Sequence, residues 1–187
     1  MRNLIKFVLA SLFIVGCNSS HVVPDTSELV IEHGDEVMSV HAGTVGAVLT
    51  SVLLTSHSAR TIEINGVPSN LYGVLSENLS DSLTDMRLVR ESDGVELTAR
   101  LQPGHDSIEE LTFEEPITLA PGESLLLLLV ADVPVGASNR VEIELGAPSA
   151  AGRSMFPAIA YADNGDWVSD ELVQGNVAHR AHVLIGE

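Results

Sequence analysis

Cysteine and basic residues are scarce in this chain of 187 residues. Cys17 is the only cysteine, so an intrachain disulfide is excluded and a structural zinc site built on thiolates is not expected. Lys6 is the only lysine, and the residues after Cys17 include 7 basic and 26 acidic side chains, hence a formal charge of −19. A field of this sign repels nucleic acid and anionic lipid headgroups and attracts cations, so we expect no nucleic-acid partner.

Aromatic residues and long apolar runs are also rare. Aromatic side chains make up 4% of the chain, and Trp167 is the only tryptophan. It stands beside an acidic turn, where it is a candidate ligand-binding residue that could stack on a sugar; core packing and capping of a hairpin are the alternatives. The apolar run at residues 7–15 is shorter than the roughly 20 residues that a membrane-spanning helix needs.

The N-terminal segment has the organisation of a secretory signal. Arg2 and Lys6 form a positively charged region, the apolar run follows, and it ends in Ile14-Val15-Gly16-Cys17. These four residues resemble the lipobox of bacterial lipoprotein precursors. The resemblance implies that residues 1–16 are a signal peptide that is removed, and that Cys17 is the lipid attachment site, carrying diacylglycerol and a further acyl chain such as palmitate. An ordinary secretory signal with an incidental cysteine is the alternative.

Residues 17–27 are expected to be a lipid-anchored tether, since they are polar, contain Pro24 and show no periodicity. At about 3.3 Å per extended residue the tether reaches no more than roughly 33 Å, which keeps the following domain near the membrane. Two or three acyl chains are enough for stable attachment. In the lipoprotein family an aspartate after the modified cysteine retains the protein in the inner membrane. Asn18 therefore implies the outer membrane of the cell envelope if the source is Gram-negative.

From residue 28 onward, apolar residues alternate with polar ones. Val95, Leu97, Ala99 and Leu101 show a period of two, as do Val141, Ile143 and Leu145. The unbroken apolar run at residues 125–130 predicts a central strand covered on both faces. The sequence predicts strands near residues 28–33, 36–41, 46–55, 60–64, 85–91, 95–102, 108–113, 123–132, 139–146, 156–162, 167–173 and 180–185.

Turn-forming dipeptides separate these strands, among them Asn65-Gly66, Asp93-Gly94, Pro121-Gly122 and Asn164-Gly165. No amphipathic segment of helical period is as long as twelve residues after the signal. Many short strands with regular turns predict one all-β domain over residues 28–187, an antiparallel β-sandwich, with a closed barrel as the main alternative.

Residues 86–146 resemble immunoglobulin-like or fibronectin-like modules of bacterial surface proteins. The segment contains MRLVRESDGVEL, then LTFEEPITLAPGESLLLLLVADVP, then NRVEIELG. The Cys…Trp…Cys pattern of antibody domains is absent. The resemblance implies an immunoglobulin-like or related sandwich with a binding or spacer role and no catalysis.

No catalytic residues are predicted. Ser56-His57-Ser58 places a serine on each side of a histidine, but adjacent residues of a strand point to opposite faces. The Gly-x-Ser-x-Gly motif of many hydrolases and the glycine-rich phosphate loops are missing. The chain is therefore expected not to be an enzyme.

One acidic turn is a candidate calcium site. Asp163, Asn164 and Asp166 surround Gly165 and would supply the oxygen ligands that calcium prefers. The twelfth position of an EF-hand loop would be Gln174 instead of glutamate, so the turn is not an EF-hand. A plain hairpin turn is the alternative. Further acidic loops could be formed by Asp81, Asp85, Asp106, Glu109 and Glu110.

These features favour a lipid-anchored lipoprotein of the cell envelope with a non-catalytic binding, adhesion or structural β-sandwich. Its expected partners are the membrane, through the anchor, and an unknown envelope protein or surface ligand. A calcium-dependent binding module and an atypical hydrolase are the alternatives, and calcium is the only cofactor considered.

Overall fold

The computed structural model describes residues 27–34, 37–73, 78–104, 108–145, 159–175 and 181–186. None of the helices in this part of the chain has the length or apolar character needed to cross a bilayer. The strands are β1 (Leu29–His33), β2 (Val37–His41), β3 (Ala47–Ser56), β4 (Ile62–Gly73), β5 (Thr84–Arg90), β6 (Ile108–Leu119), β7 (Ser124–Asp132), β8 (Asn139–Leu145), β9 (Ile159–Tyr161), β10 (Val173–Gly175) and β11 (Ala181–Gly186). Two short 3-10 helices span Leu79–Asp81 and Asp170–Leu172.

The strands form two sheets that share one apolar core. The first sheet has the order β10-β1-β3-β7-β5, and the second has the order β2-β11-β8-β4-β6, with β9 also paired to β4. Pairing is antiparallel except between β1 and β10 and between β2 and β11. Side chains of both sheets belong to one buried cluster, with Leu54 and Leu127 from the first sheet and Ile64 and Val141 from the second. The structure confirms the predicted all-β class and the predicted β-sandwich, and the immunoglobulin-like subclass stays a prediction.

The alternation of more and less buried side chains along the strands explains why the two sheets pack face to face. In β3, Val52 and Leu54 are buried while Leu53 between them is only half-buried. Strand β7 lies centrally between β3 and β5, as predicted. The expectation that both of its faces are covered is wrong, since Leu126 is 36% exposed while Leu127 is fully buried. One face of this apolar strand therefore meets the core and the other meets solvent.

The segment at residues 95–101 joins the two sheets at one side of the sandwich. The alternation predicts a strand here, but the segment forms isolated bridges instead: Glu96 with Val89 and Leu101 with Met86 of β5, and Thr98 with Phe113 of β6. The tight turn at Asp93-Gly94 that leads into it is confirmed, because Gly94 has φ +70°. The segment therefore forms a wall between the edge strands β5 and β6.

The Asn65-Gly66 pair does not make the predicted turn. Strand β4 continues through it to Gly73, and the register of β4 against β6 shifts there. Ile64 pairs with Ile117 and Gly66 pairs with Thr112, so residues 113–116 of β6 stand opposite Asn65 alone. A bulge of this kind bends the strand that carries it.

Candidate functional site: a groove at the open edge of β6

A groove of about 580 Å³ lies between the two sheets. One wall is the bulged end of β6 at residues 114–119, and the other comprises residues 90–97 together with the start of β7 at residues 123–125. Pockets of roughly 300–1,000 Å³ are typical of ligand sites. The groove is therefore large enough to hold a ligand.

The floor of the groove is apolar. Leu97, Leu119 and Leu125 line it and are almost wholly buried. Ile117 is half-buried beside them, and Val95 stands at the rim with 48% of its surface exposed. The apolar surface that a ligand can remove from water here is therefore mainly that of Ile117 and Val95.

The rim of the groove is acidic. Glu114 and Glu115 are exposed, and no ion pair among the described residues involves either of them. Glu123 is also exposed, and its Oε2 accepts a hydrogen bond of 2.9 Å from the Ala120 N–H. Arg90 is the cation among the lining residues, and its Nη1 lies 3.2 Å from Asp93 Oδ2. Negative charge therefore exceeds positive charge around the opening.

Glu96 at the rim is held by two arginines. Its Oε1 lies 2.7 Å from Arg100 Nη2 and 2.9 Å from Arg87 Nε. The hydrogen bond from Arg100 lowers the pKa of the Glu96 carboxyl below its ordinary value. A carboxyl of this kind stays ionised, which disfavours a role for Glu96 as a general acid.

Arg87 fixes the wall of the groove to β5. The residue is 7% exposed, and its Nη1 donates a hydrogen bond of 2.7 Å to the Asp85 carbonyl oxygen. The same Nη1 is 3.5 Å from Asp132 Oδ1. Nearby, the Leu88 N–H donates to Thr98 Oγ1 at 3.0 Å. These polar contacts hold the segment at 95–101 against the sheet edge, so the groove has a supported wall.

The β6 wall of the groove is a strand edge. Glu114 N–H donates to the Leu97 carbonyl oxygen at 2.9 Å, and among the described residues no backbone hydrogen bond joins residues 115–119 of β6 to the segment at 95–101. Among the described residues, β6 pairs from Ile117 to Leu119 only with β4, on its other side. Pro116 carries no N–H, and an edge strand leaves alternate backbone groups without a strand partner on its open side.

The predicted calcium residues form a tight turn. Asp166 N–H donates to Asn164 Oδ1 at 3.0 Å, and Asn164 Nδ2 donates to Asp166 Oδ2 at 2.6 Å. Gly165 has φ +73°, and Tyr161 N–H donates to the Asp166 carbonyl oxygen. The plain hairpin turn is therefore present.

Asp163 faces an arginine in this turn. Its carboxylate forms an ion pair with the Arg60 guanidinium, whose Nε is 3.2 Å from Asp163 Oδ2. The hydrogen bond from Arg60 lowers the pKa of Asp163, and the same bond raises that of Arg60. The guanidinium lies 3.8 Å from the centre of the Tyr161 ring. Calcium at this place would have to replace Arg60 as the partner of Asp163.

Two of the remaining acidic candidates have other partners in the structure. Asp81 accepts a hydrogen bond of 2.8 Å from Asn78, and Asp85 lies 3.8 Å from Arg100. Asp106 and the side chains of Glu109 and Glu110 lie outside the described residues. No group of three or more histidine, cysteine or acidic side chains arranged to hold a metal occurs in the described part of the chain.

Trp167 does not pack in the core. It pairs with Ala160 directly after the acidic turn and is 69% exposed. Core packing, one of the uses considered for it, is therefore wrong. A stacking role stays a prediction.

The Ser56-His57-Ser58 stretch does not assemble a catalytic pair. Ser56 and Ser58 are buried while His57 is exposed, as expected for neighbours that point in opposite directions. Ser58 Oγ accepts a hydrogen bond of 3.0 Å from the Arg60 N–H. Cys17 and the tether at residues 17–27, apart from Ser27, lie outside the described residues.

No protein-family model matches the chain, and no curated protein matches it. Solved structures give distant similarities. A chain of the CaDoc0917–CaCohA2 complex, crystallised at pH 5.5, is 11% identical with a TM-score of 0.43, over 84% of this chain and 99% of that one. AvmM, which catalyses macrocyclization in alchivemycin A biosynthesis, is 13% identical with a TM-score of 0.40, over 86% and 90%. PapD-like domain 7 of human CEP192 is 6% identical with a TM-score of 0.28, over 98% and 92%. All three TM-scores are below 0.5, so these similarities carry no conclusion about this chain.

Sequence reasoning missed the groove. Its walls come from residues 90–97, 114–119 and 123–125, which are distant in sequence and meet beside the place where β6 shifts register against β4. A local signal was present in Glu114-Glu115-Pro116, since charges and proline inside a strand-like run are typical of an irregular edge strand.

Proposed function

We propose that this chain is a lipid-anchored protein of the bacterial cell envelope whose β-sandwich binds a protein partner and performs no catalysis. The observation that supports binding is the groove between the sheets, with its apolar floor and its acidic, open strand edge. Such a combination gives affinity through buried apolar area and selectivity through charge. The outer membrane is the proposed location in a Gram-negative cell, because Asn18 follows Cys17.

The position of the groove agrees with an anchored domain. Leu29 at the start of β1 pairs with Ser56, and the neighbouring Thr55 pairs with Ser124 in the groove wall. The groove is therefore near the end of the sandwich at which the chain enters from the tether. A tether of about 33 Å would keep that end close to the membrane surface.

A non-catalytic role agrees with the chemistry of the lining. The described lining residues include no histidine and no cysteine, so a nucleophile paired with an imidazole base is missing there. Of the carboxylates, Glu96 is held by arginines and Glu123 caps a turn. A hydrolase would need a nucleophile, a base and an orienting acid that converge.

The test uses photo-crosslinking in cells that make the full-length protein. A photoreactive amino acid at Val95, on the groove rim, should capture one defined envelope protein. Val135 is 92% exposed in a loop at the opposite end of the sandwich. The photoreactive amino acid placed at this position should not capture that envelope protein.

Two matched variants of β6 complete the test. Thr118→Trp fills the groove and should abolish the crosslink at Val95, whereas Thr112→Trp, an exposed position of β6 outside the lining, should leave it. Equal crosslinking in the two variants, or no crosslink from Val95 that differs from Val135, would overturn the proposed binding site.

The calcium-dependent module remains a second proposal. Asp163, Asn164 and Asp166 do meet within one turn and could supply oxygen ligands. Binding would require the Arg60 guanidinium to leave Asp163.

A further inference from the structure

The features of the groove suit an extended peptide better than a compact small molecule. Its β6 wall is a strand edge, its floor is a row of apolar side chains, and its rim carries carboxylates. A strand laid along such an edge makes main-chain hydrogen bonds on one side. Its side chains point alternately to opposite faces, so one set meets the floor and the other meets the rim.

We infer that the groove binds an extended peptide segment with alternating apolar and basic residues, which adds to β6 as a further strand. This inference rests on the proposed binding function and names the class of partner. The apolar residues of the segment contact Leu97, Ile117 and Leu125. The basic residues face Glu114 and Glu115, whose carboxylates have no cation among the described residues.

Charge excludes two occupants from this chain itself. A second copy would bring its own edge with Glu114 and Glu115 and a formal charge of −19 after Cys17, so like charges would face each other. The tether at residues 18–27 has no lysine or arginine and contains Asp25. A partner protein that supplies lysine or arginine side chains does not meet this repulsion.

The same edge is protected against self-association. Paired glutamates, a bulge and a proline are devices that keep an edge strand from pairing with a copy of itself. The same glutamates repel an acidic segment and attract a segment that carries the opposite charge. The β6 edge would thus accept a basic strand and reject an acidic one.

The direct test measures binding of a dye-labelled heptapeptide, Lys-Val-Lys-Val-Lys-Val-Lys with blocked ends, to the full-length chain in detergent by fluorescence anisotropy. We expect saturable binding that weakens with added salt, and no binding of the glutamate counterpart. Glu115→Lys and Glu114→Lys should each weaken the affinity by at least about fivefold, because like charges then face each other. Glu171→Lys, at an exposed position outside the groove, should leave it unchanged.

A second measurement leaves the protein unaltered. Two versions of the heptapeptide carry N-methyl groups on the lysine nitrogens or on the valine nitrogens. A strand presents alternate N–H groups to one neighbour, so only one version should lose binding. In parallel, amide resonances of residues 115, 117, 118 and 119 should shift on addition of the parent peptide.

The outcomes separate the two claims. Equal affinity of wild type, Glu115→Lys and Glu171→Lys would show that the peptide does not meet the groove glutamates and would overturn the inference. Equal affinity of both methylated peptides would show binding without strand addition and would overturn it as well. If the heptapeptide does not bind while the Val95 crosslink depends on Thr118, the inference is wrong and the proposed binding function stands. If neither is observed, both fail.

Discussion

Gly66 of β4 approaches Leu111 of β6 so closely that a Cβ atom at position 66 would lie 2.8 Å from the Leu111 carbonyl oxygen. The approach occurs where the register of the two strands shifts, beside the bulge that opens the groove. The neighbour is backbone, which cannot turn aside as a side chain can. Glycine is therefore required here for close approach of two strands, and not for a turn.

Gly66→Ala should destabilise the protein by about 1–3 kcal/mol, because the added methyl group overpacks the contact with β6. The measurement is urea unfolding followed by circular dichroism. Gly186→Ala is the control, since a Cβ at position 186 would meet nothing within 4 Å. Equal unfolding midpoints for the two variants would contradict the observed packing of β4 on β6.

Adjacent leucines of β7 should respond differently to truncation. Leu127→Ala should cost about 2–5 kcal/mol, because the side chain is fully buried between the sheets. Leu128→Ala should cost no more than about 1 kcal/mol, since this side chain is half-buried on the other face. Denaturant unfolding of both variants checks the assignment of faces, and a larger loss for Leu128→Ala would reverse it.

Acid should weaken the attachment of the groove wall. The folded protein holds the pKa of Glu96 below its ordinary value of 4.5, mainly through the hydrogen bond from Arg100. The stabilisation is therefore present above the unfolded pKa and is lost as the pH falls through the lower folded pKa. In Glu96→Gln the unfolding free energy should fall less steeply with acidification below that ordinary value than in the wild type.

Glu171→Gln, which removes an exposed carboxylate outside the groove, serves as the control for the acid titration and should follow the wild type. If Glu96→Gln and the wild type lose stability in parallel over this range, the ion pairs of Glu96 with Arg87 and Arg100 do not stabilise the attachment of residues 95–101 to β5.

Arg60→Gln tests the calcium proposal. The substitution removes the cation that now pairs with Asp163, so any calcium site in this turn should become stronger. Thermal melting with calcium or with a chelator should then show a larger shift of the midpoint in Arg60→Gln than in the wild type. An unchanged midpoint in both proteins would remove calcium from the account.

Local patterns were enough to place most strands. The alternation at Val141, Ile143 and Leu145 predicted β8, and these three residues are buried as expected. The turn at Pro121-Gly122 is present, with Gly122 at φ +76° and Glu123 N–H bonded to the Ala120 carbonyl oxygen. Both features depend on neighbours in sequence, which is why periodicity and turn chemistry could predict them.

Long-range pairing decided the remaining features. Asn65-Gly66 has the local preference of a turn, but pairing of β4 with β6 on one side, and with β9 and β8 in turn on the other, keeps the chain extended. The groove depends on the number of residues that β6 inserts opposite β4, and periodicity carries no information on register between distant strands. Apolar and polar residues do alternate at residues 95–101, but pairing with distant strands makes this segment a bridge between the two sheets instead of a regular strand.

Metabolic labelling with radioactive palmitate tests whether the β-sandwich is held at the cell envelope through Cys17. Label should enter the wild-type chain, which should fractionate with membranes. Cys17→Ala should take up no label and should leave the membrane or remain unprocessed. An unlabelled wild-type protein that stays soluble in the cytoplasm with residues 1–16 still attached would contradict the account.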